Sequence, residues 1–285
     1  MKPAPFAYHA PRSLADAVRL LTELGDDAKV LAGGQSLVAA MNFRLARPAA
    51  LVDINRIASL DYVNSEAGTL RIGALARHAR FERPLVEGVL GGLLPYVARH
   101  IAHMPIRSRG TFAGSLAHAD PASEWCLVAR TLDAEIVLTG PKAERRVPAA
   151  DYFQGVFTTA LRSDEIVSEI RVPLPGAGWR GGFAEFSRRA GDFALAMCLA
   201  LIRIEGGRIA EVKIGIGGGA DRPLRIAAAE RALVGQAPDA AAFAAAADIA
   251  AREVDPMSDI HADADYRRDL VGAMTRRALA HALRA

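Results

Sequence analysis

The sequence predicts an α+β chain in two domains, and three observations carry that reading. Residues 1–57 run helix, strand, glycine-rich turn, helix and strand, the order of an α/β unit. Residues 173–178, Pro-Leu-Pro-Gly-Ala-Gly, place two prolines and two glycines where no regular element survives. Beyond them come two apolar runs joined by Glu205-Gly206-Gly207-Arg208, a hairpin signal, and then three alanine-rich helical stretches. A chain of 285 residues exceeds one average domain and can bury a core without a metal or disulfide. The expected domains are 1–177, itself split into parts at about 1–57 and 58–177, and 178–285.

The elements follow in order. Ser13-Leu14-Ala15-Asp16 has the form of a capping box with Asp at the acidic position, and Leu14, Val18, Leu21 and Leu24 recur at helical spacing until Gly25. A short apolar strand over 28–32 leads into Gly33-Gly34-Gln35-Ser36, a helix over 37–44 and a strand over 51–54. Residues 69–74 alternate apolar and polar like a half-buried strand. Residues 84–103 read as mostly helical and 105–120 as irregular, because small residues crowd there. A helix is expected over 121–132, with Asp120 as its cap and Pro121 in its first position. Strands are expected at 134–139 and 165–172. In the second domain, strands at 195–204 and 208–216 and helices at 224–234, 239–252 and 265–283 predict a small antiparallel sheet with helices on one side.

Composition excludes several classes. The net charge is +3, with arginines scattered in short pairs such as Arg145-Arg146, Arg188-Arg189 and Arg267-Arg268. That pattern reads as solvated faces and not as a nucleic-acid surface. Cys126 and Cys198 are the only cysteines and lie far apart, so the chain cannot by itself hold an iron–sulfur cluster or structural zinc. Two lone thiols, an N-terminus without the apolar core of a signal peptide and no membrane-length apolar stretch lead to the expectation of a cytoplasmic protein.

Two loops could carry chemistry. In Ala32-Gly33-Gly34-Gln35-Ser36-Leu37, two glycines after a strand let successive N–H groups approach an anion, and the next helix start adds positive potential. An ordinary tight turn would read the same way, and the pattern is neither a GxGxxG fingerprint nor a P-loop. The stretch from Arg109 to Glu124 packs hydroxyls, an imidazole and two carboxylates among small residues, as suits a loop around a polar ligand. Taken alone, His118 fits a packed or surface histidine at least as well. Gly217-Gly218-Gly219 reads as a turn. No nucleophile–base arrangement or paired carboxylates emerge from spacing, so any reactivity belongs to a cofactor.

At these loops the sequence resembles the FAD-binding medium subunits of the molybdenum hydroxylase family, which includes xanthine dehydrogenase and carbon monoxide dehydrogenase. The motifs are AGGQSL at 32–37, RGTFAGSLAHADPASE at 109–124, EIVSEIRVP at 165–173, FSRRAGDFALA at 186–196 and IGIGGGADRPLR at 214–225. The resemblance implies a two-part FAD-binding domain of the vanillyl-alcohol-oxidase-like (PCMH) type, followed by a domain like the carbon monoxide dehydrogenase flavoprotein C-terminus. It implies non-covalent FAD. Ala32, Gly33, Gly34, Gln35, Ser36 and Leu37 match the first diphosphate loop, and Thr111, Ala113, Gly114 and Ser115 match the second. His118, Asp120 and Glu124 match the stretch beside the sugar and ribityl portions, Val167 a strand position near the ring or adenine end, and Phe193 an aromatic beside the isoalloxazine ring.

The family's second loop usually reads Thr-x-Gly-Gly-Asn, whereas this chain has Ala113 and Ser115 at the third and fifth positions. Ala113 is tolerated only at negative φ, and Ser115 offers fewer hydrogen bonds than Asn. Ala184 stands where xanthine dehydrogenases carry a Lys, which argues for the three-chain bacterial branch and leaves the electron acceptor open. The resemblance further implies a large molybdopterin subunit and a small subunit with two [2Fe–2S] clusters, joined as a dimer of heterotrimers, with this chain passing electrons to an external acceptor. Two other readings stand beside it: a stand-alone FAD oxidase or dehydrogenase, and a flavin-free scaffold subunit.

Overall fold

The computed structural model describes residues 1–284; Ala285, the last residue of the expected second domain, lies outside them. Strand β1 (Ala7–His9) precedes helix α1 (Leu14–Leu24), whose start is closed by Ser13 Oγ accepting from the Asp16 N–H. Gly25, at φ +69°, turns the chain out of the helix. Strand β2 (Ala28–Leu31), helix α2 (Leu37–Asn42) and strand β3 (Ala50–Asp53) follow, and the three strands run parallel in the order β1-β3-β2. Parallel neighbours need crossover connections, and α1 and α2 supply them. The glycine-rich turn therefore sits at the carboxyl end of β2, where ligands collect on parallel sheets.

The next unit contains β4 (Val63–Glu66), β5 (Thr69–Gly73), α3 (Val89–Ala98), α4 (Met104–Arg107), α5 (Phe112–His118), α6 (Glu124–Thr131), β6 (Glu135–Thr139), β7 (Glu144–Pro148), α7 (Ala149–Tyr152), β8 (Phe153–Gly155), β9 (Thr158–Thr159) and β10 (Ile166–Pro173). Its antiparallel sheet has the order β4-β5-β10-β6-β7. Phe81, Phe112 and Trp125 pack together in the core, with the Phe112 and Trp125 rings stacked 4.6 Å apart.

Three sequence expectations are corrected here. The 84–103 helix is confined to α3, because Gly88 holds φ +73° immediately before it. Residues 105–120 are largely helical and not irregular: Thr111 Oγ1 accepts from the Gly114 N–H at 2.9 Å and caps α5, so small residues form a helix. The helix expected from 121 begins at Glu124. Asp120 Oδ1 accepts from the Ala122 N–H in a local turn, and the Pro121 carbonyl accepts the Gly218 N–H from the second domain.

That second domain is a four-stranded antiparallel sheet, β11 (Trp179–Phe186), β12 (Ala196–Glu205), β13 (Arg208–Gly217) and β14 (Leu224–Arg225), in that order. Gly206 and Gly207, both at positive φ, make the hairpin turn. Helices α8 (Ala227–Leu233), α9 (Ala240–Glu253) and α10 (Ala264–Arg284) cover one face, against Ala196, Cys198, Ala200 and Ile202. The alternate residues Met197, Leu199 and Leu201, with Phe183 of β11, join the core of the preceding domain. The sheet thus has two buried faces. Helices account for one, and the other is the seam between domains. Asp133 adds ion pairs across that seam to Lys213 at 2.8 Å and Arg225 at 2.7 Å. Among the described residues, no helix is long and apolar enough to cross a membrane.

The seam depends on Gly215 of β13, where an added Cβ would overlap Thr131 Oγ1 and come within 2.8 Å of Leu127 Cδ1, both on α6. Gly215→Ala is expected to lower the unfolding free energy by about 1–3 kcal/mol in denaturant titrations. Gly92→Ala, in α3 with open space around it, is expected to raise it by roughly 0.5–1 kcal/mol.

Candidate functional site

The two small-residue bends meet. A Cβ on Gly33 would overlap the Arg109 carbonyl oxygen and sit 2.7 Å from Gly110 Cα, so the first bend lies directly on the chain entering the second. Polar side chains tie them together. Asn55, just past β3, donates to the Ala32 carbonyl at 2.8 Å and receives Arg77 on its Oδ1 at 2.5 Å, while Arg77 also donates to the Arg109 carbonyl. Asp53 holds Asn55 by accepting from its N–H at 2.9 Å, and Tyr8 donates to the same carboxylate at 2.5 Å.

The first bend keeps its donors free. Gly34 holds φ +73°, a backbone shape that suits glycine, and the Gln35 side-chain amide donates to the Gly33 carbonyl at 2.9 Å. The N–H groups of Gly34, Gln35 and Ser36 donate to no turn or cap acceptor among the described residues. Ser36 precedes α2 without capping it, so its hydroxyl is free as well, and Leu37 opens the helix. Free N–H groups in succession beside a helix start form an anion cradle.

The second bend is differently made. Its Thr111 hydroxyl and Gly114 N–H satisfy each other, the Phe112 N–H donates to Ala76, and the Ser115 N–H closes on Thr111. Ala113 is helical, absent from the positive-φ residues, and buried in the core, so its departure from glycine costs nothing in backbone strain. Gly110 packs against the ring of His78, which accepts from Trp125 Nε1 at 2.9 Å. Burial, with Arg77 and Arg107 nearby, pushes that imidazole down to about 4 and keeps it neutral.

The other expected residues lie apart from these contacts. His118 lies tilted against Phe157 with ring centres 4.8 Å apart, and burial lowers its pKa. Asp120 is occupied by its own turn. Glu124 opens α6 and is 91% buried; burial, with Asp120 adding to it, pushes its carboxyl up to about 7. Val167 is buried in β10, one residue before a register shift against β6. Phe193 is 70% exposed, on the loop where Gly191 abuts the His103 ring, and no aromatic partner meets it among the described residues. The contacts above join 32–36 to 109–111; they do not bring Phe193 or Val167 to the bends.

Sequence reasoning missed Asn55, Arg77 and Asp53. The signal was Asp53-Ile54-Asn55 at the carboxyl end of a parallel strand, a position where polar residues face ligands. Arg77 lies 22 residues further on, and no local pattern marks it. Among the described residues, no group of three or more His, Cys, Asp or Glu is placed to hold a metal.

Residues 4–175 match the family described as the FAD binding domain in molybdopterin dehydrogenase, and residues 182–282 match the carbon monoxide dehydrogenase flavoprotein C-terminal domain. The chain is 38% identical to the 6-hydroxypseudooxynicotine dehydrogenase complex subunit alpha of Paenarthrobacter nicotinovorans, over 99% of this chain and 96% of the relative. It is 39% identical to the carbon monoxide dehydrogenase medium chain of Hydrogenophaga pseudoflava, over 98% of this chain and 97% of that one. The solved structure of carbon monoxide dehydrogenase from Hydrogenophaga pseudoflava, lacking the Mo-pyranopterin moiety of its cofactor, superposes with a TM-score of 0.96 at 40% identity, covering 100% of this chain and 99% of that one. A shared two-domain architecture over the full length, with both family matches in order, shows that the chain belongs to the FAD-binding medium subunits of the molybdenum hydroxylases.

Proposed function

We propose that this chain holds one FAD without a covalent bond where its two bends meet, and relays electrons from the iron–sulfur clusters of a partner subunit to an external acceptor. The observation that carries this reading is the seating of Gly33 on Arg109–Gly110, with free N–H groups left on the first bend. The residues fit the group, since Gly34 holds the positive φ that shapes the bend and Ser36 keeps an uncommitted hydroxyl.

In this reading Ala32, Gly33, Gly34, Gln35, Ser36 and Leu37 receive the diphosphate. Thr111 and Gly114 set the shape of the second bend, Ala113 fills the core beneath it, and the Ser115 hydroxyl faces the cofactor. His118, held neutral and braced by Phe157, is a hydrogen-bonding group without charge beside the sugar. Asp120 orients the turn that carries Glu124, Val167 lines the floor, and Phe193 screens the ring from solvent. FAD, when bound, supplies the redox chemistry, and the protein supplies binding, orientation and exclusion of water.

The relatives are medium chains or lettered subunits of dehydrogenase complexes. That supports a large molybdopterin subunit and a small two-cluster iron–sulfur subunit as partners, arranged as a dimer of heterotrimers. Two free, buried cysteines support the cytoplasm as its compartment. The stand-alone reading with a covalently held flavin lacks its linkage group, because Gln35 carries neither imidazole nor thiol. The scaffold reading rested on Ala113 and Ser115, and Ala113 sits in helix without strain.

Denaturing the purified chain in acid is expected to release all of its yellow chromophore as FAD; colour retained on the polypeptide would contradict the non-covalent reading. Gly34→Val, which forces a branched side chain onto a residue at φ +73° and against Val38 and Leu31, is expected to distort the bend and abolish FAD retention while the far-ultraviolet spectrum stays unchanged. Asn55→Ala removes the tie between the bends, and is expected to weaken FAD binding about tenfold to a hundredfold by fluorescence titration.

A further inference from the structure

Arg77 is fastened to both bends. Its main chain forms an antiparallel bridge with Thr111, flanked by the Phe112 N–H donating to the Ala76 carbonyl at 3.0 Å and the His78 N–H donating to the Gly110 carbonyl at 2.9 Å. Its guanidinium donates to Asn55 Oδ1 at 2.5 Å and to the Arg109 carbonyl oxygen, the atom against which Gly33 is seated. Asn55 in turn donates to the Ala32 carbonyl at 2.8 Å. A cation therefore stands where the two bends meet, held by each of them.

Nothing in the chain neutralises that cation. Both of its acceptors are neutral amide oxygens, and no carboxylate forms an ion pair with it among the described residues. Asp61 and Asp53 act on it only through space. Asp61 is already paired with Arg80 at 3.0 Å, and Asp53 already accepts from Tyr8 and Asn55. Arg109, exposed and without an ion pair among the described residues, adds repulsion. Burial and then Arg109 hold the half-buried Arg77 guanidinium below the ordinary arginine range, yet it stays charged at neutral pH. Of the five N–H donors of a guanidinium, two are used here and three remain open. A partly buried charge with open donors and no counterion is costly until an anion arrives.

We propose that Arg77 is a direct ligand of the cofactor's diphosphate and supplies the countercharge that the neutral N–H groups of the first bend cannot. This rests on the flavin reading above. The donors of the first bend are dipoles, so a dianion held by them alone would remain unneutralised. Arginine adds a full charge on a planar fork that suits phosphate oxygens. The same side chain also ties the bends together through its two neutral hydrogen bonds. The two roles separate experimentally. Lysine keeps the charge and loses the fork, glutamine loses the charge, and salt screens only the charge.

The test is the FAD affinity of the full chain, titrated by fluorescence from about 20 to about 500 mM sodium chloride, with thermal unfolding followed alongside. The proteins compared are the wild type, Arg77→Gln, Arg77→Lys and Arg19→Gln. Arg19 is exposed on α1 and paired with Asp16 and Glu23, so its variant removes one positive charge elsewhere on the surface. The wild type and Arg19→Gln are expected to weaken together as salt rises. Arg77→Gln is expected to bind on the order of tenfold more weakly at low salt, and its disadvantage to shrink as salt rises. Arg77→Lys is expected to keep the wild type's salt dependence. Arg77→Met is a second neutral variant, judged by the same curves if Arg77→Gln does not fold. Neutral variants whose curves run parallel to the wild type's, displaced or not, would overturn the proposal and leave the flavin reading intact, because a tie that never touches the diphosphate loses affinity alike at every salt concentration. A wild-type chain that binds no FAD would overturn both.

Discussion

Gly33 touches the Arg109–Gly110 backbone with no space for a side chain, and the rest of the molecule is arranged to keep that contact. The parallel sheet delivers the first bend from β2. Helix α5 and the His78–Trp125 pair fix the second from below. Asn55 and Arg77 bridge them from the side. Each tie joins parts of the chain far apart in sequence, so the site exists only in the folded domain. The N–H donors on the first bend stay unsatisfied, as buried or half-buried backbone N–H groups rarely do.

The second domain contributes in a different way. Its sheet is buried on both faces, one under its own helices and the other against the first domain. This explains why β12 reads as a nearly continuous apolar run and not as an alternating strand. The contact from Gly218 to Pro121, and the seat of Gly191 against His103, anchor the loops of the second domain after and before the second bend.

Much of this was legible in the sequence. The capping of α1 by Ser13, the stop at Gly25 and the hairpin at Gly206-Gly207 are local effects, and local sequence states them fully. Both bends were visible as small-residue clusters, although the second hid a helix, because a threonine cap outweighs the turn character of its glycine and serine. Seven strands were not visible. β1, β8, β9 and β14 are two or three residues long, β4 and β7 are polar edges, and β11 carries two glycines at its centre. Asn55 and Arg77 were missed for one reason: their roles come from partners 23 and 32 positions away, and spacing carries no trace of such pairings.

The most direct measurement is the FAD affinity of Gly33→Ala. Gly33 is not at positive φ, so alanine brings no backbone strain there; its methyl group acts only by pushing the bends apart. If the close seating makes the site, the variant will unfold cooperatively like the wild type yet bind FAD at least about tenfold more weakly. Wild-type affinity in a well-folded Gly33→Ala chain would show that the cofactor does not depend on the two bends being held together.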